Sequence, residues 1–192
     1  MKRKDKDFYN WRLRRFCWIT RSSEYARYYS NKFHEWWDPD EFSWKNGSEN
    51  LASYCSNYIN KWGKDLSKFN WNNSSSYLAQ HCSKEFNAWW DPMKYNWKNG
   101  SWALARHCHR YFDIWGRDIS KFNYQGIFGE LGSWYLARYC SKHFEKWYNP
   151  DKLKWHCKSI KKQPFRDVLE RYCKKHKDRW ELDYVIKTLG SE

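Results

Sequence analysis

Two cysteine–histidine pairs near the carboxyl end have the residue types and the spacing of a metal site. Cys140 and His143 are three residues apart, and so are Cys173 and His176. Residues three apart lie on one face of a helix, so the two pairs could together supply four tetrahedral zinc ligands. Cys140 and Cys173 also recur at one position of an internal repeat, which accounts for them without a metal. We therefore expect no metal and no cofactor, and zinc is the less favoured interpretation.

Catalytic motifs are missing from the sequence. There is no Gly-rich phosphate loop, no His-Glu-x-x-His and no Gly-x-Ser-x-Gly. The acids that recur along the chain, Asp38, Asp91 and Asp118, follow each helical segment, where a capping role is sufficient to explain them. The sequence therefore predicts a binding protein and not an enzyme.

Positive charge is concentrated at the two ends of the chain, which has a net charge of +14. Residues 1–23 carry eight Lys or Arg and two Asp, residues 24–135 carry thirteen basic and twelve acidic side chains, and residues 136–192 carry fifteen and eight. Basic clusters interleaved with aromatic rings suit single-stranded nucleic acid, since phosphates meet the cations and bases stack on the rings. The candidate charge contacts are Arg12, Arg14, Arg15, Lys158, Lys161, Lys162, Lys174 and Lys175.

Three interpretations of these basic ends stay open. The favoured one is binding to nucleic acid or to a nucleoprotein assembly. The second is an acidic protein surface, as in a phage or mobile-element inhibitor that masks a host factor. The third is that polar terminal repeats only keep the chain in solution. Four tryptophans at the margin of the expected core are predicted to be partly exposed contact residues: Trp37, Trp90, Trp102 and Trp134.

An internal repeat must position all of these residues. Leu-Ala-x-Tyr/His-Cys begins at Leu51, Leu78, Leu104 and Leu136, and degenerate copies begin at Tyr25 and Leu169. A second motif, with an aromatic residue or Leu two residues before an aromatic one, follows each copy: Phe42-Ser43-Trp44, Phe69-Asn70-Trp71, Tyr95-Asn96-Trp97, Phe122-Asn123-Tyr124 and Leu153-Lys154-Trp155. Five to six such units predict stacked neighbours, because so short a unit cannot bury its own apolar face.

Each unit is predicted to contain one long helix and one short element. A serine three residues before the opening Leu or Tyr is the expected N-cap: Ser22, Ser48, Ser75, Ser101 and Ser133. From Leu104 the apolar residues follow a single helical stripe that ends at Trp115, and equivalent tryptophans are expected between repeats. The helix is then expected to end either at a C-cap glycine, as at Gly63 and Gly116, or at Asp-Pro or Asn-Pro.

Five cysteines share one helical position in successive units. Stacked equivalent positions are about one interhelical distance apart, which exceeds the reach of a disulfide. We therefore expect small buried thiols and a reducing compartment. The residues are Cys55, Cys82, Cys108, Cys140 and Cys173.

The fold predicted from these patterns is an all-α, single-domain α-solenoid of five to six helix–short-helix repeats. Its parts are a basic cap with a half repeat (1–24), tandem repeats over 25–168 (25–50, 51–77, 78–103, 104–135 and 136–168) and a basic capping repeat (169–192). The unit Leu-Ala-x-Tyr-Cys-x-x-x-Phe-x-x-Trp-Trp-Asp-Pro resembles Trp/Cys-rich repeats of uncharacterised bacterial and phage proteins. Its architecture is similar to the leucine-rich repeat variant, an α-helix plus a 3₁₀-helix.

No apolar run in the sequence approaches the length needed to span a bilayer. The basic residues at the amino terminus are not followed by the apolar stretch of a secretory signal. The sequence therefore predicts a cytoplasmic protein with no membrane partner.

Overall fold

The computed structural model describes residues 21–126, 131–155 and 164–189. Over these residues the regular secondary structure is helical, and within each compact unit the long helices of consecutive repeats pack on each other, which confirms the predicted all-α repeat fold. The chain divides into two compact units, Met1–Trp90 and Asp91–Glu192.

Each repeat consists of a long helix, a 3₁₀ turn and one further α-helical turn. The long helices are α1 (21–28), α2 (Trp44–Tyr54) and α3 (Trp71–His81) in the first unit, and α4 (Trp97–His107), α5 (Gly132–Tyr139), α6 (Phe165–Tyr172) and α7 (Lys177–Leu189) in the second. The 3₁₀ turns are Ser30–Lys32, Ser56–Tyr58, Gly63–Asp65, Ser83–Glu85, His109–Tyr111, Gly116–Lys121, Ser141–His143 and Lys174–His176. The single α-helical turns are Phe33–Trp36, Ile59–Trp62, Phe86–Trp89, Phe112–Trp115 and Phe144–Trp147.

The predicted continuous helix from the serine to the buried tryptophan is wrong, because the chain breaks at the cysteine. Cys55 ends α2 with φ −113° and ψ 23°. Its carbonyl accepts from the backbone N–H of Tyr58 at 3.0 Å and from the indole N–H of Trp62 at 2.8 Å. This carbonyl therefore accepts hydrogen bonds from a 3₁₀ turn and from a side chain, and not from the next turn of an α-helix. The same indole-to-cysteine bond recurs for Trp89, Trp115, Trp147 and Trp180.

The prediction that serines cap the long helices is also wrong. Ser48 lies inside α2, where its hydroxyl donates to the Trp44 carbonyl at 2.5 Å and accepts from the Asn70 backbone N–H, in the next repeat, at 3.0 Å. The helix begins four residues earlier, since the Trp44 indole donates to the Pro39 carbonyl and fixes the first turn. The serine therefore joins two repeats. Ser101 makes the equivalent bonds to Trp97 and Asn123, Ser22 accepts from Ser43, Ser75 donates to Trp71, and Ser133 lies within α5.

Of the two predicted helix endings, the glycine C-cap is wrong, and the aspartate cap before proline is present. Gly63 and Gly116 keep right-handed φ of −64° and −67° and continue into 3₁₀ turns, so neither is a left-handed C-cap. Asp38 and Asp91 do cap the turn that follows them. The carboxylate of Asp38 accepts from the Asp40 backbone N–H at 2.9 Å, and the carboxylate of Asp91 accepts from the Met93 backbone N–H at 2.9 Å.

The core between repeats is made of tryptophans and thiols, as predicted. Trp62, Trp89, Trp115, Trp147 and Trp180 are almost completely buried. All five repeat cysteines are buried thiols. In four of them the Sγ contacts an alanine carbonyl of the preceding long helix, as Cys55 does with Ala26 at 3.5 Å; the others are Cys82, Cys140 and Cys173. Burial raises the pKa of the Cys55, Cys108 and Cys173 thiols to about 12, and raises the pKa of Cys140 as well.

Candidate nucleic-acid interface

The variable position of the Leu-Ala-x-Tyr/His-Cys motif aligns arginines on successive long helices of the second unit. Arg106 lies near the end of α4, Arg138 near the end of α5 and Arg171 near the end of α6. Arg106 and Arg171 are exposed, and Arg138 is half-buried. Because α4 packs on α5 and α5 on α6, one arginine per repeat follows the surface from helix to helix. We call these three residues the arginine stripe.

Aromatic rings contact two of the three guanidinium groups of the stripe. The Arg138 guanidinium lies 5.0 Å from the ring centroid of Trp134, 5.3 Å from that of Tyr139 and 5.8 Å from that of Tyr172 on the next helix. Arg106 lies 5.9 Å from Tyr135, again across the junction of two helices. A guanidinium that lies over a ring keeps its planar fork of N–H donors at the edge, where a phosphate can accept two of them.

Three acids of the second unit form ion pairs away from the stripe. Asp113, Glu145 and Asp151 each pair with a cation from the following repeat, namely Lys146, Arg179 and Lys187. In the described part of the chain no carboxylate lies within 4.0 Å of the guanidinium groups of the arginine stripe. The positive charge of the stripe is therefore not compensated by neighbouring ion pairs.

The first unit carries a related cluster at the ends of α1 and α2. The Arg27 guanidinium lies 5.3 Å from the ring centroid of Tyr28 and 6.0 Å from that of Tyr54. Tyr28 and Tyr54 occupy the aromatic position of the motif and are 65% and 45% exposed. Arg27 is exposed as well. The next two repeats have Ser53 and Gln80 at the arginine position, so the cation row is short in this unit.

Of the eight basic residues selected from sequence, the structure describes two. Lys174 and Lys175 are exposed on the 3₁₀ turn that follows α6, three and four residues after Arg171. The others lie outside the described residues: Arg12, Arg14, Arg15, Lys158, Lys161 and Lys162.

The four selected tryptophans also differ from one another. Trp37 and Trp90 are half-buried, and one face of each stacks on a core phenylalanine, Phe33 at 5.1 Å and Phe86 at 5.0 Å. Trp102 is half-buried as well. Trp134 is 7% exposed, so the expectation that this ring is partly open is wrong; it lies beneath Arg138.

Each of the four zinc candidates contacts a different group. The Sγ atoms of Cys140 and Cys173 lie against alanine carbonyls at 3.8 and 3.6 Å. His143 stacks on Phe112 at 4.5 Å, and His176 stacks on Phe144 at 4.4 Å. Among residues 21–126, 131–155 and 164–189, no three His, Cys, Asp or Glu side chains are grouped so that they could hold a metal ion.

The arginine stripe was not selected from sequence, although its signal was present. The motif copies contain Arg27, Arg106, Arg138 and Arg171 at the same position, and comparing that position between copies shows the row. Charge runs along the chain do not show it, because the stripe crosses between helices.

Comparison with known proteins identifies no relative. No family model, curated protein or solved structure matches the chain. Within the described residues, no helix combines the length and the apolar character needed to cross a membrane.

Proposed function

We propose that this chain is a non-enzymatic repeat scaffold that binds nucleic acid, alone or in a nucleoprotein assembly, through the arginine stripe of its second unit. The observation that carries the proposal is the row of uncompensated guanidinium groups, two of them held over rings from the neighbouring helix. Each guanidinium can donate two hydrogen bonds to one phosphate. A row with one cation per repeat matches a ligand whose charges also recur along a line.

The remaining charge supports the same proposal. Residues 91–192 contain 21 Lys or Arg and 12 Asp or Glu, against 15 and 10 in residues 1–90. Lys174 and Lys175 extend the positive surface beyond Arg171. Long-range attraction from such a surface increases the rate at which polyanions meet it, and salt weakens this attraction.

The test is a polarisation titration of labelled single-stranded and duplex oligonucleotides over a range of salt concentrations. The variant Arg106→Gln/Arg138→Gln/Arg171→Gln should bind more weakly. For a single strand, the slope of log affinity against log salt concentration should be less negative by about 2, because three phosphate contacts are lost.

A matched control removes the same net charge from another surface. Lys121, Lys146 and Lys187 are already paired with Asp118, Asp113 and Asp151. Changing these three lysines to Gln should leave the salt slope of binding nearly unchanged. Equal losses in both variants would mean that net charge, and not the stripe, is responsible.

An acidic protein partner is the second candidate, and α7 gives it specific support. Leu182, Val185 and Ile186 are spaced to share one face of this helix, and all three are exposed. If nucleic acid does not bind at physiological salt, this candidate replaces the first. Binding of a protein partner through this apolar face should then respond less to salt than phosphate binding does, and strongly to Leu182→Asp/Ile186→Asp.

A further inference from the structure

The tyrosines at the aromatic position of the motif differ between the two units in exposure. In the second unit Tyr139 and Tyr172 are half-buried, and the Arg138 guanidinium lies over both rings. In the first unit Arg27 lies over Tyr28 and Tyr54 in the same way, but these two side chains are 65% and 45% exposed. A base can stack only on an open ring face, so the exposed tyrosines of the first unit are the better stacking platforms.

Charge around these two tyrosines is compatible with a polyanion. The Arg27 guanidinium lies over both rings, 5.3 and 6.0 Å from their centroids. The nearest acids along α1 and α2 are engaged: Glu24 pairs with Arg21 at 3.7 Å, and Glu49 accepts a hydrogen bond from the Tyr77 hydroxyl. Two exposed rings from adjacent helices, with one cation against both, match two bases and the phosphate that joins them.

We infer that Tyr28 and Tyr54 stack on unpaired bases and that the substrate class is therefore single-stranded nucleic acid. This inference rests on the proposed function and adds to it a division of roles: the arginine stripe contacts phosphates, and the tyrosine pair contacts bases. A duplex offers the tyrosines no open base face, because its bases are stacked on each other and must first be unstacked. The stripe alone does not discriminate between single strand and duplex, since both present phosphates.

The experiment compares two variants of the full chain, Tyr28→Ala/Tyr54→Ala and Tyr28→Phe/Tyr54→Phe. Affinity for a single-stranded oligonucleotide should fall roughly fivefold or more for each base that loses its ring in the alanine variant. The phenylalanine variant keeps both rings and should bind like the wild type. Duplex affinity and the salt slope should be unchanged in both. Both side chains are exposed, so far-UV circular dichroism should show the same helix content in all three proteins.

A second readout reports stacking directly. The fluorescence of a single strand that carries the base 2-aminopurine should be quenched when the strand binds the wild type or the phenylalanine variant. The alanine variant should quench it much less. If the alanine variant keeps its single-strand affinity within about twofold and quenches fully, the inference is wrong; the proposed function then stands or falls on the arginine variant alone. If the wild type binds neither strand form, both are overturned.

Discussion

Replacing Ser48 with alanine tests whether the buried serines join one repeat to the next. Ser48 is fully buried, and its hydroxyl connects the Trp44 carbonyl to the Asn70 backbone N–H. Loss of the hydroxyl removes two hydrogen bonds worth about 1 kcal/mol each, and leaves a half-buried N–H without its acceptor. Alanine returns about 0.5 kcal/mol through its higher helix propensity. The expected net cost is about 1–2 kcal/mol.

Ser53→Ala is the matched control in the same helix. Ser53 is half-buried, and its side chain makes no hydrogen bond to the described residues, so this change should be neutral or slightly stabilising. Urea unfolding followed by circular dichroism compares the two variants, and amide hydrogen exchange measures protection of the Asn70 N–H, which only Ser48→Ala should reduce. Equal stability of the two variants, or full protection of Asn70 in Ser48→Ala, would refute the bridging role.

Three further predictions follow from burial and geometry. At pH 8 the five repeat cysteines should not react with a thiol reagent until urea unfolds the chain, because all five are buried away from the reagent, and burial raises the pKa of Cys55, Cys108, Cys140 and Cys173; peptide mapping identifies the protected residues as these four and Cys82. Burial raises the pKa of Tyr124 to about 12, so its contribution to stability is complete below pH 10 and is lost as the pH rises to 12; Tyr124→Phe should flatten this alkaline loss in urea titrations. Gly132→Ala should destabilise by about 3 kcal/mol or more, since the added Cβ would lie 2.1 Å from the Asn123 carbonyl oxygen, whereas Gly63→Ala should be tolerated; thermal unfolding compares the two.

The repeat period and the buried face could be predicted from sequence because they depend on local spacing. The spacing of Leu104, Cys108, Tyr111, Phe112 and Trp115 indicated one buried stripe; four of these side chains are buried, and Tyr111 is half-buried. The helix boundaries could not be predicted in the same way. They depend on bonds from indole and hydroxyl groups to backbone carbonyls, and these bonds override the intrinsic preference of each segment.

For the candidate interface, the excess of positive charge could be predicted from the sequence, but the contacts between side chains of different helices could not. The excess of Lys and Arg in residues 136–192 was visible from composition. That Arg138 lies over Tyr172 depends on which face of α5 meets α6, and spacing within either helix does not give that contact. Similarly, the place of Trp134 in the first turn predicted a partly exposed ring, but the ring is buried and the Arg138 guanidinium lies over it.

The serine bridge has a consequence for how such a chain can change over generations. Ser48 and Ser101 contact the next repeat through its backbone N–H and not through a particular side chain. A duplicated repeat inserted in frame would therefore bring its own acceptor and its own donor, and the new junction would need no compensating substitution. The motif positions occupied by Arg106 and Tyr139 take no part in that bridge. Length and ligand preference can thus evolve separately, the first by copying whole repeats and the second by single codon changes.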